Sequence, residues 1–211
     1  DGQAFEAGQT LARVAGPARA VLTAERVALN FVQRMTGVAT QTAQYVAAVA
    51  GTDVRIVDTR KTTPGMRNFE KYSVRCGGGH NHRYSLSDAV MAKDNHLAVL
   101  TRGGKDLTTE LRRVKAQLGH TTHLEVEVDR LDQIEAVLAG GVDTIMLDNF
   151  TLEDLRTGVA MIAGKCLVEA SGGVNLNTVR AIAETGVDVV SVGALTHQIH
   201  SLDLGLDLEI N

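Results

Sequence analysis

Six short apolar runs, each closing on polar or charged residues, constrain this chain more than any other feature. They occupy residues 54–57, 89–92, 124–128, 144–147, 166–170 and 189–192. Apolar residues at helical spacing separate the later runs, over 107–118, 131–138, 152–162 and 178–184. Such alternation, joined by short Gly-containing connections, makes an α/β fold with a parallel sheet. No Gly-x-Gly-x-x-Gly follows the first run, which argues against a dinucleotide-binding doubly wound sheet. The expected architecture is an incomplete, TIM-like parallel α/β barrel of six or seven strands. With 21 Gly, 2 Pro and 3% aromatics, tight strand–helix turns suit the chain better than an all-β sandwich does.

The two ends read differently. Residues 9–22 alternate around Gly16-Pro17 and predict an antiparallel strand pair. Residues 202–210 alternate Leu or Ile with polar residues or Gly, as a half-buried strand does. Neither end buries its apolar face alone, so 1–22 and 202–211 are expected to share one small, incomplete sheet, and 23–201 to form the barrel. Thr23 is the candidate N-cap of a first helix reaching about residue 50 through Val27, Phe31, Met35 and Val38. The chain opens on Asp1 rather than Met, which predicts processing or a fragment.

Composition narrows the function class. A formal charge of −4 argues against a general nucleic-acid binder, and the absence of Trp argues against a base-stacking platform. No run approaches the ~18 apolar residues of a membrane span, and no secretory signal opens the chain. Cys76 and Cys166 stand far apart, as packing residues in a reducing, cytoplasmic setting. His120, His123 and His200 read as surface residues.

In a parallel barrel, chemistry collects at the carboxyl ends of the strands. Here Asp58-Thr59-Arg60-Lys61 follows the first run and Lys93-Asp94-Asn95-His96 the second. Glu127 and Asp129 close the third, Asp148-Asn149 the fourth, Ser171-Gly172-Gly173 the fifth and Gly193-Ala194 the sixth. Residues 55–83 carry seven Lys or Arg against two acids in a chain that is acidic overall. For Arg67, Lys71 and Arg75 a solvated helix face and an anion grip remain open. Arg60-Lys61 and His82-Arg83 point to a small polyanion, because guanidinium forks grip carboxylate or phosphate oxygens in pairs. Gly77-Gly78-Gly79, just ahead of His80-Asn81-His82-Arg83, is expected to let backbone approach that anion. His80 and His82 lack a third ligand at zinc spacing. Glu125, Glu127 and Asp129 share one face of a strand and are expected inside the barrel, with Glu127 and Asp148 beside a divalent cation such as Mg2+ or ligand hydroxyls. Ser171, Gly172, Gly173 and Gly193 expose backbone N–H groups suited to phosphate, with His197 above them.

Five ordered motifs carry a resemblance that spans essentially the whole chain. They are Glu25-Arg26-Val27-Ala28-Leu29-Asn30, Asp58-Thr59-Arg60-Lys61-Thr62-Thr63-Pro64-Gly65, Glu70-Lys71-Tyr72, Gly77-Gly78-Gly79-His80-Asn81-His82-Arg83 and Lys93-Asp94-Asn95-His96. The sequence resembles the quinolinate phosphoribosyltransferase (nicotinate-nucleotide pyrophosphorylase) family. The resemblance implies a longer N-terminal stretch completing an α/β sandwich domain, of which the two ends here are a remnant. It implies transfer of ribose 5-phosphate from phosphoribosyl pyrophosphate to quinolinate with loss of CO2, dependent on Mg2+. It places Thr59, Arg60, Lys61, His82, Arg83 and Lys93 around quinolinate. Lys61, Lys93, Glu127 and Asp148 would be catalytic, with Glu127 and Asp148 also meeting the metal and ribose hydroxyls. Ser171, Gly172, Gly173, Gly193 and His197 would take the 5-phosphate. Arg26 would reach the neighbouring subunit's site in a homodimer.

Three rivals stand beside it: a related phosphoribosyltransferase with another acceptor, a phosphate-binding barrel isomerase or lyase, and an anion-binding fragment without turnover.

Overall fold

The computed structural model describes residues 1–209. In chain order its elements are α1 (Ala18–Ala48), β1 (Arg55–Val57), α2 (Arg67–Cys76), β2 (Ala89–Ala92), α3 (Asp94–Leu100), α4 (Leu107–Gln117) and β3 (His123–Val128). A 3-10 turn at Leu131–Gln133 leads into α5 (Ile134–Ala139), then β4 (Thr144–Asp148), α6 (Leu152–Ile162), β5 (Leu167–Ser171), α7 (Val179–Ala183), β6 (Val189–Ser191) and α8 (Ala194–His197). All six expected strands are present. The short α3 and α8 were not expected, being too brief to show a helical period.

The strands form one parallel sheet in the order β1-β6-β5-β4-β3-β2. It does not close, because β1 and β2 are not paired with each other. A single parallel bridge from Val57 to His80 occupies part of that gap. This is the incomplete barrel the sequence implied, with six strands.

Register sorts the side chains into two faces. Ile56, Val190, Ala170, Leu147 and Val128 share one face, are all buried, and pack beneath the helices as the apolar core. The opposite, interior face carries Glu125, Glu127, Met146, Asp148, Glu169, Ser171 and Ser191. Local signals start two of the covering helices. Asp106 accepts the Thr109 N–H at 2.8 Å ahead of α4, and Thr151 accepts the Asp154 N–H at 3.1 Å ahead of α6.

The ends depart from expectation. Residues 9–15 form no strand, and 18–22 belong to α1. Gly16-Pro17 therefore opens a helix instead of turning a hairpin: Pro17 has a φ of −58°, and Ala18, Arg19, Ala20 and Leu22 are good helix formers. Thr23 consequently lies inside the helix, its hydroxyl donating to Arg19 O at 2.7 Å. Residues 202–209 form no strand either, and Ile210 lies outside the described residues. The alternation survives without a sheet. Leu202, Leu204 and Leu206 are half-buried, and the tail is tied to α1 by Leu202 N–H to Gln33 O (3.2 Å) and Gln33 Nε2 to Leu204 O (2.8 Å).

His123 is another correction. It begins β3 half-buried and bonds to Thr144 Oγ1 at 2.8 Å, because alternation puts it on the interior face with Glu125. His120 and His200 are exposed, and Cys76 and Cys166 are half-buried free thiols. No described helix is long and apolar enough to cross a membrane.

Candidate active site

The carboxyl ends of the strands bring most of the expected residues to one rim. After β1, Lys61 is exposed, and its carbonyl accepts the Thr196 hydroxyl at 2.7 Å. A Cβ built on Gly193 would stand 2.8 Å from His197 Nε2 and 3.4 Å from Lys61 Cδ, so Lys61, Gly193 and His197 form one corner. Thr59 Oγ1 accepts the Lys61 N–H at 3.0 Å, shaping the turn that presents Arg60 and Lys61. Lys93, at the end of β2, pairs with Glu127 at the end of β3. Next to them Asp148 stands in register with Ser171 and accepts Asn149 Nδ2 at 2.7 Å.

Asn149 holds a left-handed φ of +57°, and the Gly172 backbone packs so closely that a Cβ there would meet Asn149 Oδ1 at 2.2 Å. With a φ of +94° as well, only glycine suits position 172. Strained backbone of this kind gathers where a turn must present groups at a fixed height.

Arg83 lies close to both the Arg60 guanidinium and the Glu125 carboxylate, and donates from Nη1 to Ala89 O at 3.1 Å. Burial, together with the Arg60 charge, pulls its pKa below the usual arginine value. Two neighbouring guanidiniums repel each other, and an anion held between them offsets that repulsion.

A buried network holds this basic loop. Asp58, fully buried, accepts Lys71 Nζ at 2.5 Å, His82 N–H at 2.8 Å and Asn81 Nδ2 at 2.7 Å. Burial pushes the Asp58 carboxyl up and the Lys71 ammonium down, and their pairing works against both shifts. Lys71 is therefore an internal strut. On the other side Arg34 of α1 donates to Glu70 Oε1 at 2.7 Å and to Thr63 Oγ1 at 2.7 Å, tying the 60–65 loop to α1 and α2.

Several expectations need revision. Gly77 and Gly79 face α1 and not an anion: a Cβ would stand 2.3 Å from Ala39 O at Gly77 and 2.7 Å from Thr42 Cγ2 at Gly79. The glycine run is a close-packing device between α1 and α2. Of the three acids on the third run, Glu125 is buried, Glu127 half-buried, and Asp129 exposed beyond the strand. Arg26 is exposed on α1 and makes no ion pair or hydrogen bond among the described residues.

His82 points inward. Its Nε2 lies 3.1 Å from Glu125 Oε2 and 3.5 Å from Glu169 Oε2. Burial lowers its pKa and the two carboxylates raise it, the carboxylates prevailing. Burial, with Glu169's charge adding to it, raises that of Glu125. Glu169 escaped the sequence reading, although one acid in the middle of the apolar run 166–170 was a visible signal. Arg34 carried none, and Glu70 entered only as part of the Glu70-Lys71-Tyr72 motif, with no role assigned.

The chain matches the family model described as quinolinate phosphoribosyl transferase, N-terminal domain, over residues 1–36, and the C-terminal domain model over 38–207. It is 39% identical over 211 residues to the probable nicotinate-nucleotide pyrophosphorylase [carboxylating] of Bacillus subtilis, covering 100% of this chain and 72% of that one. It is 46% identical to the nicotinate-nucleotide pyrophosphorylase [carboxylating] of Mycobacterium leprae, covering 99% and 72%. The crystal structure of NadC from Streptococcus pyogenes superposes with a TM-score of 0.90 at 43% identity, over 96% of this chain and 70% of that one. Matched along nearly its whole length and carrying a cation-lined barrel rim, the chain belongs to the quinolinate phosphoribosyltransferase family.

Proposed function

We propose that this protein transfers the phosphoribosyl group of phosphoribosyl pyrophosphate to the ring nitrogen of quinolinate. The transfer releases pyrophosphate and CO2 and leaves nicotinate mononucleotide, a step of NAD biosynthesis. The observation that carries the reading is the rim itself. Lys61 stands beside Gly193 and His197, Arg83 near the Arg60 charge, Lys93 against Glu127, and Asp148 in register with Ser171 ahead of the Gly172-Gly173 turn, in a chain of this family.

Quinolinate is a dianion, and Arg60 and Arg83 supply paired donors for its carboxylates, with Thr59, Lys61, His82 and Lys93 around them. Ser171, Gly172, Gly173, Gly193 and His197 take the 5-phosphate end. Glu127 and Asp148 end adjacent strands on the interior face, and each keeps one carboxylate oxygen without a hydrogen bond among the described residues. That all-oxygen pair suits Mg2+, which binds through one or two carboxylates plus substrate phosphates. When bound, the ion would neutralise the departing pyrophosphate.

As pyrophosphate leaves, positive charge develops on the ribose, and Glu127 and Asp148 stabilise it electrostatically. Holding quinolinate against that carbon converts a bimolecular encounter into a positioned attack by the ring nitrogen. Loss of the adjacent carboxylate as CO2 leaves its electron pair on the ring carbon, where the neighbouring pyridinium charge stabilises it until a proton from solvent completes the mononucleotide. No covalent nucleophile is required. The protein works in the cytoplasm as a homodimer, with Arg26 reaching the neighbouring subunit's site; its exposure on α1 supports this.

Incubation with quinolinate, phosphoribosyl pyrophosphate and Mg2+ should yield the mononucleotide and one CO2 per turnover. Product from nicotinate without CO2 would reassign the acceptor, and no dependence on phosphoribosyl pyrophosphate would end the reading.

A further inference from the structure

Two carboxylates beneath the rim have no part in the chemistry above. Glu125 of β3 and Glu169 of β5, each 3% exposed, reach across β4 on the interior face to a single imidazole. Their remaining oxygens, Glu125 Oε1 and Glu169 Oε1, have no hydrogen-bond partner among the described residues. Burying two incompletely bonded carboxylates is unfavourable, and apolar side chains of the same size would make a more stable floor. Stability therefore does not explain them.

Their target is held on every side. The His82 N–H donates to Asp58 Oδ1 at 2.8 Å, and its carbonyl accepts Lys71 Nζ at 3.0 Å. Nδ1 accepts the Arg83 N–H at 2.8 Å, and Nε2 meets the two glutamates. His82 thus transmits its own position to the backbone of Arg83. A metal ion between the same three side chains is the obvious competing use, since their ligand atoms lie within 4.8 Å of one another. The Nδ1 bond disfavours it: a ring that accepts at Nδ1 carries its proton on Nε2, where a metal would need the lone pair.

We infer that Glu125 and Glu169 are positioning residues that lock the His82 ring and thereby fix Arg83 at the height where it grips a quinolinate carboxylate. The inference rests on the proposed acceptor. It predicts that function and stability separate on substitution, which a purely structural role would not produce.

The test compares Glu169→Leu and Glu169→Gln in the full chain. Loss of one of the two carboxylates facing Nε2 should raise KM for quinolinate about 10-fold in Glu169→Leu. Its kcat and KM for phosphoribosyl pyrophosphate should stay nearly constant, and its Tm should hold or rise. Glu169→Gln, which keeps an acceptor oxygen, should recover most of the quinolinate KM. An unchanged quinolinate KM in Glu169→Leu would overturn the inference, as would a fall in Tm with all kinetic constants declining together. So would stoichiometric metal in the purified protein that Glu169→Leu loses. If the unsubstituted chain showed no turnover, the functional reading would fail first. Calorimetric titration with quinolinate would still decide this one, by whether Glu169→Leu binds more weakly.

Discussion

Lys61 and Arg83 illustrate how differently two rim cations are held. Lys61 projects from a short turn beside Gly193 and His197, whereas Arg83 is half-buried and anchored through Ala89 O. Neither supports the core, so removing either should impair catalysis without unfolding. Lys61→Ala and Arg83→Ala should each lower kcat/KM by about 10²-fold, the scale of a misplaced reactant, with Tm nearly unchanged. Steady-state assays beside thermal melts check this, and near-normal turnover in either would remove it from the grip.

Among the elements, α1 and α2 do the most to place the basic loop. Asp58–Lys71 ties β1 to α2, Arg34–Glu70 ties α2 to α1, and the glycine run lets α2's exit lie against α1. Gly77→Ala would force a Cβ to within 2.3 Å of Ala39 O, a backbone atom that cannot swing away. The expected loss is about 1–3 kcal/mol, the usual cost of overpacking, read as a lowered denaturation midpoint with unchanged slope. Wild-type stability in that variant would show that the helices can separate freely. The elements also show where periodicity succeeds. Residues 152–162 were read as a helix with the bounds α6 has, because an N-cap and a full helical period coincide there. The terminal strands failed because period 2 specifies one buried face, not what covers it. At 202–209 that cover is a helix, and at 18–22 helix propensity prevails.

At the scale of the whole molecule, Arg26 sits on the exposed first part of α1 and makes no ion pair or hydrogen bond among the described residues. If it serves a partner's site, inactive Arg26→Ala and Lys61→Ala proteins should regain activity when dissociated and mixed. A mixed dimer pairs an intact Lys61 with a partner's intact Arg26 in one of its two sites. Failure to complement, with exchange verified, would confine Arg26 to its own chain. The order of strands, the motifs at their carboxyl ends and the family they resemble were all legible in the sequence, because each depends on local spacing or short contiguous patterns. The convergence of Glu125, Glu169 and His82 was not, nor was the strut made by Lys71, nor the meeting of Gly77 with Ala39. Those contacts join residues far apart along the chain, and only the pairing order of the sheet and the docking of α1 decide which distant side chains share one small volume.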